Sequence, residues 1–341
     1  MRALRPFLKN LYRRRKKILK LLLWIFAALF VMMNAVAFMH AYKFTHFSDS
    51  GVEKIKDPKH LSFGAKANAL LLGVANPRPV NQASPSQHFD TLQLQSNKKI
   101  ECWNIRKDSS WRSCRNGHGA TGDSAKGTVI LFHGYGGEKS SMLDKSDIFQ
   151  QLGYNTLLVD FMGSGGSEGN QTTVGFKEAE EVMTCYNYVA SKGESHIYLF
   201  GTSMGAVAIL KAIKDYRLAP AGIIIECPFG TLYKTVCARF RSMDVPTFPM
   251  AGLLVFWGGV ENGFWAFGHK PVEYAKSVNC PTLLLYGEKD EKVSLEETED
   301  LFANLRGKKK LCVYPFAGHE NYLHQYKHEW THDVSHFLNS W

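Results

Sequence analysis

The segment of this chain best suited to chemistry is Gly201-Thr202-Ser203-Met204-Gly205, a serine with a glycine two residues away on either side. A serine hydroxyl is a weak nucleophile until a base removes its proton. Its attack on a carbonyl creates an oxyanion that needs hydrogen-bond donors. The chain must therefore also supply a histidine, a carboxylate and backbone N–H groups. The run Ile197-Tyr198-Leu199-Phe200 before the pentapeptide reads as a short buried strand, and Ala206 to Ile213 after it as a helix. A serine in so tight a turn stands clear at the top of a sheet. Bulky residues at 201 and 205 would collide with the crossing strand and helix.

A nucleophile in this setting is followed in chain order by the acid and then the base. The expected base is His319, in the loop Phe316-Ala317-Gly318-His319 after the strand-like run from Lys310 to Pro315. His324, His328, His332 and His336 recur every four residues on the next helical stretch, which reads as an exposed helix face. No zinc motif accompanies that spacing, so no metal is expected there. The expected acid is Asp290, in Gly287-Glu288-Lys289-Asp290 just past the strand-like run Pro281 to Tyr286. Glu288 and Glu226 are its rivals. The oxyanion donors are assigned to the backbone N–H groups of Met204 and Tyr135. Tyr135 lies in His133-Gly134-Tyr135-Gly136-Gly137, which follows the apolar run Thr128 to Phe132.

Strands and helices alternate around these residues. Strands are expected at 128–132, 155–159, 196–200, 222–226, 281–286 and 311–315. Helices are expected near 140–152 and at 173–191, 204–215, 294–306 and 321–338, and a leading hairpin at 89–94 and 100–105. Such alternation implies a mostly parallel sheet covered on both faces. Together with Asp160-Phe161-Met162-Gly163-Ser164-Gly165-Gly166-Ser167-Glu168-Gly169, the four motif regions resemble the α/β-hydrolase superfamily, and within it the serine-aminopeptidase-like branch with its membrane-anchored hydrolases. The resemblance runs from Phe89 to the C-terminus. It implies an α/β-hydrolase domain over 89–341, with residues 228–271, inserted after the sixth main strand, forming a cap over the site. Met162 stands where the family carries an arginine, a change in the wall of the site.

The formal charge of +10 is concentrated at one end. Nine of the 41 Lys and Arg residues fall within residues 1–20, where there is no acid, and the rest of the chain carries 32 basic against 31 acidic residues. A nearly neutral domain argues against nucleic acid as a partner. The basic block abuts residues 21–39, which are free of charge. As a helix they span roughly 29 Å, close to the hydrocarbon thickness of a bilayer. Residues 1–20 are thus expected to be cytoplasmic and 21–39 a single-pass anchor, with the catalytic domain outside the cytoplasm. Ala35-Val36-Ala37 offers cleavage as the alternative. Residues 40–88 are expected to form a juxtamembrane segment that stands the domain off the bilayer and packs loosely on it.

Seven cysteines without Cys-x-x-Cys spacing argue against zinc. Cys102 and Cys114 lie in or beside a polar, turn-rich stretch and are a candidate bridge in an exported chain. The other five read as small core residues.

The expected activity is that of a membrane-anchored serine hydrolase that needs no cofactor. Ser203, Asp290 and His319 form the catalytic triad, and the substrates are carboxylic esters or thioesters with apolar acyl groups. The aromatic content of 228–271 suits such a group, although large aromatics serve mostly in packing. The alternatives are an aminopeptidase-like peptidase, which needs an acidic pocket for the substrate's amino group, and a non-catalytic binding protein on the same scaffold.

Overall fold

The computed structural model describes residues 4–49, 64, 68, 71–107 and 125–340. Helix α1 (Leu4–Thr45) leads into β1 (Phe47–Ser48), which pairs in parallel with β2 (Asn76–Pro77). The hairpin of β3 (Phe89–Gln95) and β4 (Lys99–Ile105) follows. Next come β5 (Thr128–Phe132), α2 (Leu143–Gln151), β6 (Asn155–Val159), α3 (Glu178–Ser191), β7 (Ile197–Thr202), α4 (Met204–Tyr216) and β8 (Gly222–Glu226). Between β8 and the next main strand lie α5 (Leu232–Ser242), α6 (Met250–Asn262) and α7 (Pro271–Tyr274). The chain closes with β9 (Thr282–Gly287), α8 (Leu295–Asn304), β10 (Lys309–Tyr314), α9 (Tyr322–Gln325) and α10 (Lys327–Ser340).

The main sheet has the order β10-β9-β8-β7-β5-β6-β4-β3, antiparallel only where β4 meets β3 and β6. Strands β5, β8 and β9 are buried along their whole length because helices cover both faces, which is why they read as unbroken apolar runs. Their side chains alternate between two cores. Ile130, Phe132, Leu199 and Ile225 meet α3 and α4. Val129, Leu131, Phe200 and Ile224 meet α2 and α10 through Phe149 and Trp330.

The helices depart from expectation at their ends. The second helix opens with a 3-10 turn at Lys139–Met142. The helix expected from 173 begins at Glu178, because the Glu178 carboxylate accepts from Thr172 Oγ1 (2.7 Å), the N–H of Thr173 (2.8 Å) and the N–H of Gly175 (3.0 Å), holding the preceding loop in a non-helical path. The last helix is broken at Tyr326.

The loop from Asp160 to Gly169 is organised by buried charge. Asp160 pairs with Lys139, which also holds Glu101 at 2.8 Å, and accepts from the N–H groups of Lys139 (2.6 Å) and Gly166 (2.9 Å). A Cβ at Gly165 would fall 1.9 Å from the Asp160 carboxylate, so only glycine fits. Met162 is buried in the same loop, its N–H donating to Glu181 Oε2 (3.0 Å).

The largest departure concerns the segment after residue 39. Rather than packing loosely, its first part is built into the domain. Helix α1 continues to Thr45, and Ala41, Thr45, His46 and Phe47 are buried. The N–H of Phe47 donates to Asn170 O (2.7 Å) and the N–H of Thr172 to Thr45 O (2.9 Å). Small residues at 37 and 41 allow α6 to approach α1 closely.

Cys114 lies outside the described residues. Cys102 is a free thiol buried in β4, 3.9 Å from Cys185 Sγ. Cys185, Cys227, Cys237 and Cys312 are buried and Cys280 is half-buried, as small core residues would be.

Candidate active site

Ser203 sits between β7 and α4 with φ 51° and ψ −108°, a left-handed conformation that a non-glycine residue adopts only under strain, at a cost of about 1–3 kcal/mol. Two neighbours impose it. The N–H of Ser203 donates to Glu226 O (2.8 Å), tying the turn to the end of β8. Gly205 then passes so close to β5 that a Cβ there would stand 2.4 Å from Phe132 O and 2.8 Å from His133 O.

The structure brings Ser203, His319 and Asp290 together from three separate loops. His319 Nε2 lies 3.0 Å from Ser203 Oγ, and Nδ1 lies 2.7 Å from Asp290 Oδ2. Asp290 Oδ1 accepts from the N–H groups of Lys292 (2.8 Å) and Val293 (2.9 Å). These bonds point the carboxylate at the imidazole, so Nδ1 carries the proton and Nε2 is free to accept one from the hydroxyl. Burial works against a charged imidazole, yet Cys227 and Asp290 against the ring raise the His319 pKa above the ordinary 6.5.

The rival acids lie elsewhere. Glu288 is exposed. Glu226 is fully buried but committed to Trp330 Nε1 (2.7 Å) and Thr202 Oγ1 (2.8 Å), so it braces the strand beneath the serine. The other four histidines are exposed along α9 and α10.

The backbone N–H of Tyr135 lies in the loop after β5 and that of Met204 at the start of α4, and among the described residues neither N–H has an acceptor. His133 organises the first loop as a neutral ring, since burial lowers its pKa. Its Nδ1 donates to Gly134 O (2.8 Å) and its Nε2 accepts from the N–H of Phe161 (3.1 Å).

Three participants were not singled out for these places in the sequence. The Tyr135 side chain is held by the end of α1: its hydroxyl donates to Phe44 O (2.7 Å), and its ring stacks on Phe44 at 4.7 Å. The Arg239 guanidinium lies over both rings, 4.4 Å from that of Phe44 and 5.1 Å from that of Tyr135, and has no carboxylate partner among the described residues. Cys227, with φ 40°, follows β8 and places its Sγ beside the Asp290–His319 pair. Donor atoms of these last three residues lie within 4.8 Å of one another, the one such metal-type grouping among the described residues. A metal there would have to displace the Nδ1 proton that joins Asp290 to His319. Nothing in local sequence marks Phe44, which lies beyond the apolar stretch. Arg239 and Cys227 stood out only as a basic residue of the inserted segment and a core cysteine.

Sheet order, crossing helices and a serine on a strained strand-to-helix turn define an α/β-hydrolase fold. A model of the serine aminopeptidase S33 family matches residues 123–255. The uncharacterised protein YqkD of Bacillus subtilis is 26% identical over 217 residues, 62% of this chain and 71% of that protein. Lysophosphatidylserine lipase ABHD12 of Danio rerio is 22% identical over 265 residues, 73% of this chain and 68% of that protein. Among solved structures, the Pyrococcus furiosus esterase Pf2001 superposes with a TM-score of 0.61 at 23% identity, covering 78% of this chain and 98% of that one. A membrane phospholipase A described as a bacterial virulence factor gives a TM-score of 0.50 at 17% identity, covering 74% of this chain and 86% of that one. The chain has the α/β-hydrolase fold, and the proteins to which it is similar include esterases and a lipase. One helix, near the N-terminus, is long and apolar enough to cross a membrane, among the described residues.

Proposed function

We propose that the chain is a membrane-anchored serine hydrolase acting on carboxylic esters or thioesters with apolar acyl groups. The observation that carries this reading is the continuous line from Ser203 Oγ through His319 to Asp290, at 3.0 and 2.7 Å. His319 takes the hydroxyl proton as Oγ attacks the carbonyl. The N–H groups of Tyr135 and Met204 hold the oxyanion, and Asp290 stabilises the imidazolium. The proton passes to the leaving alcohol or thiol as the acyl-enzyme forms. Water, deprotonated by the same imidazole, then releases the acid and frees the serine.

Two observations bear on the substrate. A cavity of about 30 Å³ at the junction of α1, α5 and α6, lined by apolar side chains including Phe44, Leu232, Leu254 and Phe264, is too small to hold an acyl chain and touches no residue of the triad. The charge beside the loop of Tyr135 is the cation Arg239, which favours an anionic group near the ester and opposes the ammonium of a peptide N-terminus. The name of the Danio rerio relative, a lysophosphatidylserine lipase, is consistent with an amphiphilic ester. In this reading residues 21–39 of α1 span the bilayer with residues 1–20 in the cytoplasm, and residues 228–271 are the cap of a domain beginning near residue 89.

A fluorophosphonate probe tests the chemistry. Labelling of the full-length chain that disappears in both Ser203→Ala and His319→Ala supports an activated serine. A folded wild-type chain that is not labelled rules the reading out.

A further inference from the structure

Helix α1 changes character partway along its apolar stretch. Trp24, Phe26, Leu29, Phe30, Val31 and Met32 are all largely exposed. From Ala37 onward one face is covered, with Ala37, Ala41 and Thr45 buried at four-residue intervals. The covering element is α6. Its Trp257 donates from Nε1 to Asn34 Oδ1 (3.1 Å) and meets the Phe38 ring edge-on at 5.4 Å. A Cβ at Gly258 would lie 3.9 Å from that of Ala41.

Asn34 and Phe38 stand inside the charge-free stretch 21–39. At about 1.5 Å of rise per residue, Asn34 lies roughly 7.5 Å below the outer end of that stretch. Whatever touches Asn34 lies at the same depth, and what touches it belongs to the folded domain. The polar groups are arranged for such a place. Asn34 Oδ1 accepts from Trp257 and its Nδ2 donates to Phe30 O (2.9 Å), so neither end of the amide needs water.

The outer surface of α6 agrees. The helix carries no charge before Glu261. Phe256 and Val260 are exposed on it. Phe248, 87% exposed, precedes it, and Trp265, 65% exposed, follows it. The Phe256 ring packs on Trp257 at 5.2 Å, and Trp257 in turn packs on the exposed Phe38 of α1, so the apolar side chains of the two helices adjoin. Exposed apolar surface of this kind marks a contact site. Five residues past Met39, Phe44 stands roughly 7.5 Å above the hydrocarbon, and the Arg239 guanidinium stacked on it lies at headgroup level.

We propose that α6 and its flanking aromatics are immersed in the hydrocarbon of the leaflet from which α1 emerges, so that the inserted segment is a second, non-spanning membrane contact. The occupant of this face is acyl chain. The proposal rests on the reading of α1 as a membrane span, and its test separates the two.

The full-length chain is reconstituted in phosphatidylcholine vesicles, with cysteines introduced by Phe256→Cys and, independently, Val260→Cys. Val31→Cys reports on α1, and Ser195→Cys reports on the sheet rim opposite the serine. Each is labelled with an environment-sensitive fluorophore, corrected for labelling of the unsubstituted chain, and challenged with lipids bearing doxyl quenchers. Immersion predicts that positions 31, 256 and 260 each lose about half their emission or more, while position 195 is unchanged. Quenching at 31 with positions 256 and 260 behaving like 195 overturns the proposal and leaves the anchor standing. No quenching at 31 removes the anchor and the proposal together. Efficient bis-maleimide cross-linking of 256 between copies, without lipid quenching there, assigns the face to a second copy of the chain and also overturns the proposal.

Discussion

The hydroxyl of Tyr135 donates to the backbone carbonyl of Phe44 across 2.7 Å, and the two rings stack at 4.7 Å. The loop that carries a proposed oxyanion donor is thereby fastened to the last turn of the helix proposed to cross the membrane. An N–H stabilises an oxyanion only if it is held in place before the charge develops.

Phe44→Ala removes the stacking and loosens that loop. We expect kcat on a short-chain ester to fall about 10- to 100-fold with little change in KM, since small misplacements of catalytic groups cost this much. Phe44→Tyr keeps the ring and restores kcat. Equal loss in both variants, or a change confined to KM, contradicts a positioning role.

The carboxylates in the site can be told apart by kinetics. In Asp290→Asn the amide oxygen stays on the N–H groups of Lys292 and Val293, so the NH₂ group faces His319 Nδ1 and favours the wrong tautomer, which should lower kcat by about 10³- to 10⁴-fold. Glu226→Gln acts on Trp330 and Thr202 instead. It should weaken thermal stability while leaving kcat within a few-fold of wild type.

His319 must be neutral to accept the serine proton, so activity exists above its pKa and fades as pH falls through it. Because Cys227 and Asp290 outweigh burial and raise that pKa, the acid limb of kcat/KM should lie above pH 6.5. Cys227→Ala removes one of the raising neighbours and should move the limb to lower pH. A limb that stays in place excludes Cys227 as a contributor.

Gly205→Ala puts a methyl group against two backbone carbonyls that cannot retreat without shifting β5. We expect a loss near 3 kcal/mol, at the upper end for overpacking, read as a lower midpoint in chemical denaturation.

Lys139→Met leaves Asp160 charged and unpaired in the core. Removal of one partner from a buried pair costs about 3–5 kcal/mol, and the double variant Lys139→Met with Asp160→Leu should recover part of it. Urea unfolding of the wild type and the two variants measures both effects.

What could be read in the sequence was what local physics constrains. The all-apolar runs of β5, β8 and β9 are dictated by a sheet covered on both faces. The glycines around Ser203 answer to a turn that admits no side chain. The charge-free stretch 21–39 carries its own length. Helix ends were less legible, because Glu178 and Tyr326 are set by partners in neighbouring loops.

Only the tertiary structure decided which side chains meet. Asp290 and Glu288 follow β9 and Glu226 ends β8 on the same rim, and their separation rests on burial and on hydrogen bonds to distant residues such as His319 and Trp330. The seam between α1 and α6 joins Asn34 to Trp257. No periodicity within either helix encodes that partnership, since a contact between segments so far apart in the chain exists only once the sheet between them has folded.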